Sequence, residues 1–272
     1  MKSILALAAG GPRLEATLAT AALAARRLEA RLTGLHIRAD AELLAFYTGE
    51  SPLPGAATSR SAALVADREA RARAVFEKAV AALPATATRW RGENGREVEL
   101  LAGLGRAADL VVIGRAGDDT APESVSGALF ETGRPVLVAP PAPPTTLGTA
   151  VAIAWNDSVQ AARAIDAAVR LIAPGSTVRV LVAVRGGEQA PTAALLDYLS
   201  CWGIAPAVEA FDPGSSSARA RGRGLLRHAQ ESKTDLLVMG AYGQGRMMQL
   251  LGLGGATAKV ITANTMPVLL SH

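Results

Sequence analysis

The stretch Thr234–Gly240 (TDLLVMG) decides the fold, because it is a short apolar run that ends in glycine and it occurs twice. The earlier copy is Ala108–Gly114 (ADLVVIG). An apolar run of this length, bounded by turn residues, is typical of a strand that is buried on both faces. Its recurrence indicates an internal duplication. We therefore expect two similar domains in one chain.

A second repeated pair lies downstream of the first. Arg134–Ala139 (RPVLVA) is matched by Met266–Ser271 (MPVLLS), and a proline-rich stretch follows the first of them. Proline removes backbone donors and favours extended conformations, as expected of a spacer between domains. The predicted organisation is a degenerate domain over residues 1–140, a linker over 141–148 and a second domain over 149–272.

Each half alternates short apolar runs with longer segments of helical period, which is typical of an α/β fold with a parallel sheet. The predicted strands of the first half are 3–9, 32–38, 86–91, 109–113 and 135–139, and those of the second are 150–155, 177–184, 206–211, 235–239 and 267–270. The predicted helices are 12–30, 60–83, 95–106, 121–131, 158–172, 191–202, 218–232 and 255–263. This pattern predicts two tandem five-stranded parallel sheets flanked by helices, with any ligand at the carboxyl edge of the strands.

Composition excludes several classes of protein. Half of the 272 residues are hydrophobic, yet no run of about 18 apolar residues occurs, so we expect a cytoplasmic protein without a membrane partner. Cys201 is the single cysteine, which excludes an internal disulfide, and we expect it to be a buried apolar thiol. The net charge of +4 does not identify a partner.

A glycine pattern follows the repeated strand of the second half. Gly240 and Gly243 come directly after that strand, and Gly254 and Gly255 open the next predicted helix. Glycines let the backbone approach a phosphate, and free amides at a helix N-terminus bind anions. The same glycines can also simply turn the chain from strand to helix. Arg246 and Met247 replace the lysine and hydroxyl of a P-loop, which is therefore excluded, and no dinucleotide fingerprint follows the first strand of either half.

These residues resemble a universal stress protein domain. The resemblance is carried by Asp235–Gly243, Gly254–Lys259 and the final Pro267–Leu270, supported by Ala154–Ser158 after the first strand. It implies an adenine-nucleotide-hydrolase-like three-layer fold with strand order 3-2-1-4-5 in each half. It also implies pairing through the last strands, as a pseudo-dimer within the chain, and bound ATP in some members.

The resemblance also implies a set of nucleotide-binding residues. They are Asn156, Asp157, Val184, Met239, Gly240, Gly243, Gly254, Gly255 and Thr257. The glycines would line the phosphates, the strand-end residues would face adenine and ribose, and Mg²⁺ would be carried by the nucleotide. The sequence departs from the family pattern, since ten residues separate Gly243 from Gly254, Gly255 replaces a hydroxyl residue and Asn156 replaces an aspartate. The Thr257 hydroxyl either substitutes for the missing one or packs within its helix.

The first half also contains glycines at a similar spacing, but they do not occupy equivalent positions. Asp235 follows Asp109 by 126 residues, whereas Pro267 follows Pro135 by 132, so the first half is six residues shorter between these points. This count places Gly127 inside the last helix of the first half. Asp118, Asp119 and Glu123 would in addition repel phosphate. We expect the first half to be a partner that binds no nucleotide.

Catalytic and nucleic-acid motifs are weak. His36, His228 and His272 do not lie near a nucleophile in the sequence, and neither a hydrolase triad nor a metal-ligand spacing is visible. Three arginines at helical spacing could attract a polyanion, but a solvated helix face is the better interpretation; they are Arg219, Arg223 and Arg227. With 4% aromatic residues and no stacking motif, a nucleic-acid partner is not expected.

The sequence therefore predicts a stress-response regulatory protein that binds ATP or a related adenine nucleotide in its second half, with weak ATP hydrolysis at most. The alternative is an interaction scaffold that binds no nucleotide and recruits another protein. A third class, a true hydrolase, would release phosphate steadily. The protein partner is unidentified, and pairing of two chains into a homodimer stays open.

Overall fold

The computed structural model describes residues 1–38, 56–115, 123–184, 190–211, 217–242 and 255–272, with side chains described from residue 62 onward in the second range. The strands of the first half are β1 (Ser3–Leu7), β2 (Arg31–Arg38), β3 (Thr88–Asn94), β4 (Leu110–Ile113) and β5 (Val136–Val138). Its helices are α1 (Leu14–Leu28), α2 (Ala56–Val80), α3 (Glu97–Gly105) and α4 (Glu123–Glu131), with a 3₁₀ turn at Ala85–Ala87.

The second half repeats this order. Its strands are β6 (Ala150–Trp155), β7 (Thr177–Ala183), β8 (Ala207–Phe211), β9 (Leu236–Gly240) and β10 (Val268–Ser271). Its helices are α5 (Val159–Ala168), α6 (Ala193–Cys201), α7 (Ala218–Glu231) and α8 (Ala256–Ala263). Every strand and helix predicted from the sequence is confirmed, with bounds that differ by a few residues. Gly127 lies inside α4, as the residue count predicted.

The two predicted sheets are joined into a single ten-stranded sheet of order β3-β2-β1-β4-β5-β10-β9-β6-β7-β8. Within each half the strands are parallel and follow the predicted order 3-2-1-4-5. The join is the antiparallel pair β5–β10, in which Leu137 lies opposite Leu269. The last strands of the halves therefore form a pseudo-dimer inside one chain, and the fold class is confirmed.

Helices cover both faces of this sheet, because its strands are apolar on both sides. One face packs against α1, α2, α5 and α6, through buried side chains that include Leu18, Phe76, Ile165 and Leu199. The other face packs against α3, α4, α7 and α8, through Leu101, Leu129, Leu226 and Ile261. The last two helices of each half thus share one layer.

An aspartate precedes both β4 and β9, and its hydrogen bonds explain why the repeated stretch keeps this residue. Asp109 Oδ2 accepts hydrogen bonds from the amides of Lys2, at 2.6 Å, and Ser3, at 3.0 Å. Asp235 accepts from the amides of Thr149 and Ala150, each at 3.0 Å. Each carboxylate therefore ties the start of one strand to the start of its neighbour. The amide hydrogen bond from Lys2, above all, lowers the pKa of Asp109.

The proline-rich linker does not hold the halves apart. Leu147 is buried in the apolar cluster under α5. Gly148 has φ +80°, and a Cβ atom there would lie 2.1 Å from the carbonyl oxygen of Leu171. The end of the linker therefore packs closely on the residues that follow α5.

The expectation that Cys201 is a buried thiol is wrong. Helix α6 turns Leu195 and Leu199 into the core, and Cys201 is exposed. A helix rotates by about 100° per residue, so a residue two positions after a buried leucine points away from the core. The Cys201 thiol contacts the carbonyl oxygen of Asp197 at 3.5 Å.

Within the described ranges, the structure contains no helix that is both long enough and apolar enough to cross a membrane.

Candidate functional site

The carboxyl ends of β6, β7 and β9 meet at one edge of the sheet. In the parallel register, Ala154 of β6 lies beside Met239 of β9 and beside Leu181 of β7. The loops begin two or three positions further on, at Asn156, Val184 and Ala241, and therefore start at the same edge. The structure thus brings together the loops that contain Asn156, Val184 and the residues after Gly240.

Asn156 and Asp157 form the exposed turn between β6 and α5. The Ser158 hydroxyl donates to Asn156 Oδ1 at 2.7 Å and accepts from the amide of Ala161 at 3.2 Å, which caps α5. Asp157 takes a left-handed conformation with φ 56°. The Asn156 side-chain amide is therefore engaged in the turn itself.

Val184 and Met239 have structural roles of their own. The amide of Val184 donates to the carbonyl oxygen of Phe211 at 3.1 Å, which extends the pairing of β7 with β8. Met239 is 7% exposed and belongs to the apolar cluster under α7 and α8. The buried Met239 side chain leaves little surface for contact with an adenine ring.

Gly240 is required by packing. A Cβ atom at this position would lie 2.6 Å from the amide nitrogen of Ala161 and 2.9 Å from the carbonyl carbon of Gln160. The first turn of α5 therefore passes directly over the end of β9. The structure gives this glycine a role that was not among the two interpretations drawn from the sequence, which is the close approach of a helix.

Thr257 connects the loop after β9 with the first turn of α8. The amide of Tyr242 donates to Thr257 Oγ1 at 3.2 Å. Thr257 is 6% exposed, and Tyr242 takes a left-handed conformation with φ 52°. The geometry supports the packing alternative for Thr257, because its hydroxyl holds the backbone of a strained residue.

The described residues leave the N-terminus of α8 without a side-chain cap. Gly255 precedes the helix with φ −80° and ψ −178°, and it provides no side-chain cap for the first amides. No atom of the described residues would lie within 4 Å of a Cβ atom at Gly255. The first amides of a helix have no partner inside the helix and attract anions. Gly243 and Gly254, the other two glycines of the predicted phosphate loop, lie outside the described residues.

Helix α7 places positive charge beside this N-terminus. A Cβ atom at Gly222 would lie 2.7 Å from the carbonyl oxygen of Ala256 and 3.1 Å from Cβ of Lys259, so α7 packs directly on the first turn of α8. Arg219 and Arg223 lie within one turn of Gly222 on α7. Their exposure agrees with the predicted solvated helix face.

The corresponding helices of the first half carry the opposite charge. A Cβ atom at Gly127 of α4 would lie 2.9 Å from Val98 of α3, which is the same kind of helix contact. Here the first turns contain Glu97, Glu99 and Glu123, although Glu99 also pairs with Arg96 at 2.9 Å. Residues 118 and 119, the predicted acidic pair, lie outside the described residues. The described parts of the two halves therefore differ in charge at equivalent helix ends.

The three histidines are engaged in structural contacts. His36 Nδ1 lies 2.8 Å from the carbonyl oxygen of Ala8, and His228 Nε2 lies 2.8 Å from Glu209 Oε2. His272 Nδ1 lies 3.1 Å from the carbonyl oxygen of Ala241. Among the described residues, His, Cys, Asp and Glu side chains form no group of three that could hold a metal ion.

The sequence interpretation missed two aromatic residues at this edge. The ring of Phe130, from α4 of the first half, lies 5.4 Å from the ring of Tyr242 and 4.7 Å from the ring of His272. Burial raises the pKa of the Tyr242 phenol. Phe130 has no motif that marks it, because its partners belong to the other half and come together only when β5 pairs with β10.

Comparison with solved structures shows what this architecture resembles. A universal stress protein from Archaeoglobus fulgidus DSM 4304 has a TM-score of 0.68 and 15% identity, covering 99% of this chain and 96% of its own. A protein assigned to the universal stress proteins, from Pseudomonas aeruginosa UCBPP-PA14, has a TM-score of 0.56 and 17% identity, covering 100% and 93%. A protein of unknown function from Pseudomonas aeruginosa PAO1 has a TM-score of 0.56 and 17% identity, covering 100% and 92%.

Sequence comparison adds no closer relative, since no protein-family model and no curated protein matches the chain. At these identities, the structural likeness establishes the fold over the whole length of the chain.

Proposed function

We propose that this protein, which has the universal stress protein fold throughout its length, is a stress-response regulator that binds an adenine nucleotide, with ATP as the first candidate. The site is the carboxyl edge of the second half. The first half binds no nucleotide and serves as the structural partner.

The observation that carries the proposal is the N-terminus of α8, which lies at the carboxyl edge of β9 and is not capped by any described residue. The hydrogen bond from Tyr242 to Thr257 holds the loop after β9 against the first turn of this helix, at 3.2 Å. Within the described part of the chain no atom crowds the Cβ position of Gly255, so these residues leave room for a phosphate group to reach the first amides of α8. The residues present therefore fit the phosphate end of a nucleotide.

The charge distribution supports the choice of the second half. The contact at Gly222 places α7, with Arg219 and Arg223, next to α8, and Lys259 lies in the first turns of α8 itself. A phosphate group is favoured where a helix N-terminus and basic side chains act together. The first half begins its equivalent helices with glutamates, which disfavour the same ligand. We infer one nucleotide per chain.

Not every implied contact fits equally well. The Met239 side chain is buried and offers little surface to an adenine ring, and the Val184 amide already donates to Phe211, so neither is well placed to contact adenine. Asn156 and Asp157 are exposed at the edge and are the better candidates for the ribose. In this proposal Gly240 shapes the edge through its contact with α5, while Gly243 and Gly254 keep the role predicted from the glycine pattern.

Isothermal titration of the intact protein with ATP and Mg²⁺ tests the proposal. We expect saturable binding with one site per chain and weaker binding as salt rises, because phosphate contacts are screened by salt. A titration without heat, repeated by equilibrium dialysis with labelled ATP, would overturn it.

Charge-reversal variants locate the site. Arg223→Glu and Lys259→Glu should each weaken ATP binding about tenfold or more. Arg27→Glu is the control, because it changes the net charge equally but lies in α1 on the opposite face of the sheet. Equal weakening by all three variants would mean that net charge alone attracts the nucleotide.

Phosphate release distinguishes regulation from hydrolysis. We expect bound ATP to be recovered intact after prolonged incubation, because the protein is proposed to sense the nucleotide. Steady phosphate release that disappears in Thr257→Ala would instead identify a hydrolase.

A further inference from the structure

We infer that the first half contributes a positioning residue, Phe130, to the nucleotide site of the second half. The inference rests on the proposed function and extends it, because it makes the site a product of both halves. It gives the half without a site a direct role in binding.

The segment that leads from β9 toward α8 is held from several sides. The amide of Ala241 donates to the carbonyl oxygen of Ser271 at 2.8 Å, and its carbonyl oxygen accepts from His272 Nδ1 at 3.1 Å. The amide of Tyr242 donates to Thr257 Oγ1 at 3.2 Å. All of these contacts are made within the second half.

Phe130 is the residue of the first half that completes this arrangement. Its ring lies 5.4 Å from the ring of Tyr242, tilted by 49°, and 4.7 Å from the ring of His272, edge to face. Both geometries are favourable for aromatic pairs. Phe130 therefore supports both Tyr242 and the histidine that holds Ala241.

Tyr242 needs this support because of its backbone. A residue other than glycine is strained at a positive φ, and Tyr242 has φ 52°. The strained conformation directs the Tyr242 amide at Thr257 in the first turn of α8. Loss of the ring contact would let the backbone relax and would move the edge of the phosphate site.

The arrangement is not reciprocal, although the two halves are related by a repeat. The strand offset of 126 residues makes Ala116 the counterpart of Tyr242, and the offset of 132 makes Thr262 the counterpart of Phe130. Neither counterpart has an aromatic ring. The first half therefore supports the second half without receiving the same support.

Phe130→Ala tests the inference, with Leu104→Ala as the matched control. Leu104 lies on α3 and packs against the same apolar cluster, so its truncation costs similar packing elsewhere in the first half. We expect Phe130→Ala to weaken ATP binding about three- to tenfold, which is the range of an aromatic pair, and Leu104→Ala to change it less than about twofold. Phe130→Tyr should restore binding because it keeps the ring.

A second readout follows the contact without nucleotide. In protein with labelled tyrosine, the NMR signal of Tyr242, assigned with Tyr242→Phe, should titrate at a lower pH in Phe130→Ala, because exposure returns the pKa toward its ordinary value. The signal should not move in Leu104→Ala. If Phe130→Ala fails to fold at the assay temperature, Phe130→Leu keeps most of the volume, and we then expect about threefold weaker binding.

The outcomes separate this inference from the proposed function. Wild-type protein that binds no ATP would overturn both. If Phe130→Ala binds ATP as tightly as the wild type although its Tyr242 signal moves, the positioning role alone is overturned.

Discussion

Arg115 Nη1 donates a hydrogen bond to the carbonyl oxygen of Asn264 at 3.0 Å, across 149 residues of sequence. Asn264 is fully buried, and its side-chain amide donates to the carbonyl oxygens of Ala139, at 3.3 Å, and Met266, at 2.9 Å. The pair ties the end of β4 to the end of α8. Polar contacts therefore reinforce the strand pair β5–β10 that joins the halves.

The first prediction concerns this connection. Arg115→Met should lower the free energy of unfolding by about 1–3 kcal/mol, because it removes a donor from a buried carbonyl oxygen. Arg134→Met is the control, since Arg134 donates to the carbonyl oxygen of Arg106 within the first half at an exposed site. Urea unfolding measures both variants. Equal losses would show that the connection between the halves adds no stability of its own.

The second prediction compares two glycines of the candidate site. Gly240→Ala should destabilise the protein by about 1–3 kcal/mol, because the new methyl group meets the backbone of α5. Gly255→Ala should cost about 1 kcal/mol or less, since no described residue comes within 4 Å of the new methyl group and the φ of −80° suits any residue. Thermal unfolding of the two variants under the same conditions checks this order. A reversed order would mean that α5 does not pass over Gly240 as described.

The third prediction follows from the lowered pKa of Asp109. A carboxylate with a lower pKa in the folded state than in the unfolded state stabilises the fold above the unfolded pKa, and this contribution is lost as the pH falls through the folded pKa. Asp109→Asn should therefore cost roughly 1 kcal/mol at pH 7, and the difference from wild type should shrink below about pH 4.

Urea unfolding between pH 7 and pH 3 measures this difference. Asp67→Asn serves as the control, because Asp67 forms an exposed ion pair with Arg71 that contributes little to stability. A constant difference between wild type and Asp109→Asn over this range would contradict the prediction.

The fourth prediction concerns the contact between Tyr242 and Thr257. Thr257→Val keeps the shape of the side chain but removes the acceptor, so the half-buried Tyr242 amide loses its partner at a cost of about 1–2 kcal/mol. Thr257→Ser keeps the acceptor and should retain the contact. Hydrogen exchange should be faster at the Tyr242 amide in Thr257→Val alone. Unchanged protection would show that this hydrogen bond does not persist in solution.

Much of the fold could be predicted because its signals are local. Each buried strand is a continuous apolar run, and the repeated stretches that contain Asp109 and Asp235 indicate the two halves from the sequence alone. The residue count alone placed Gly127 inside a helix, where the structure has it. Patterns of this kind can be recognised without tertiary information, because they arise from burial on both faces of a sheet.

The details of the candidate site were less predictable. The glycine pattern pointed to the edge that we propose as the site, but it could not separate the close approach of α5 at Gly240 from contact with a phosphate. The spacing also left two roles for Thr257. These alternatives differ only in which atoms of neighbouring elements lie within a few ångströms. Contacts with residues distant in sequence cannot be predicted from the local sequence pattern.

The sequence by itself determined a duplicated α/β chain and the order of its strands and helices, and it suggested the edge of the second half that we propose as the anion site. Tertiary structure decided that the two sheets form one, that Cys201 is exposed and that Phe130 of the first half contacts Tyr242 of the second. The physical reason is that apolar periodicity specifies which residues are buried, whereas the antiparallel pairing of β5 with β10 specifies which buried and half-buried residues meet.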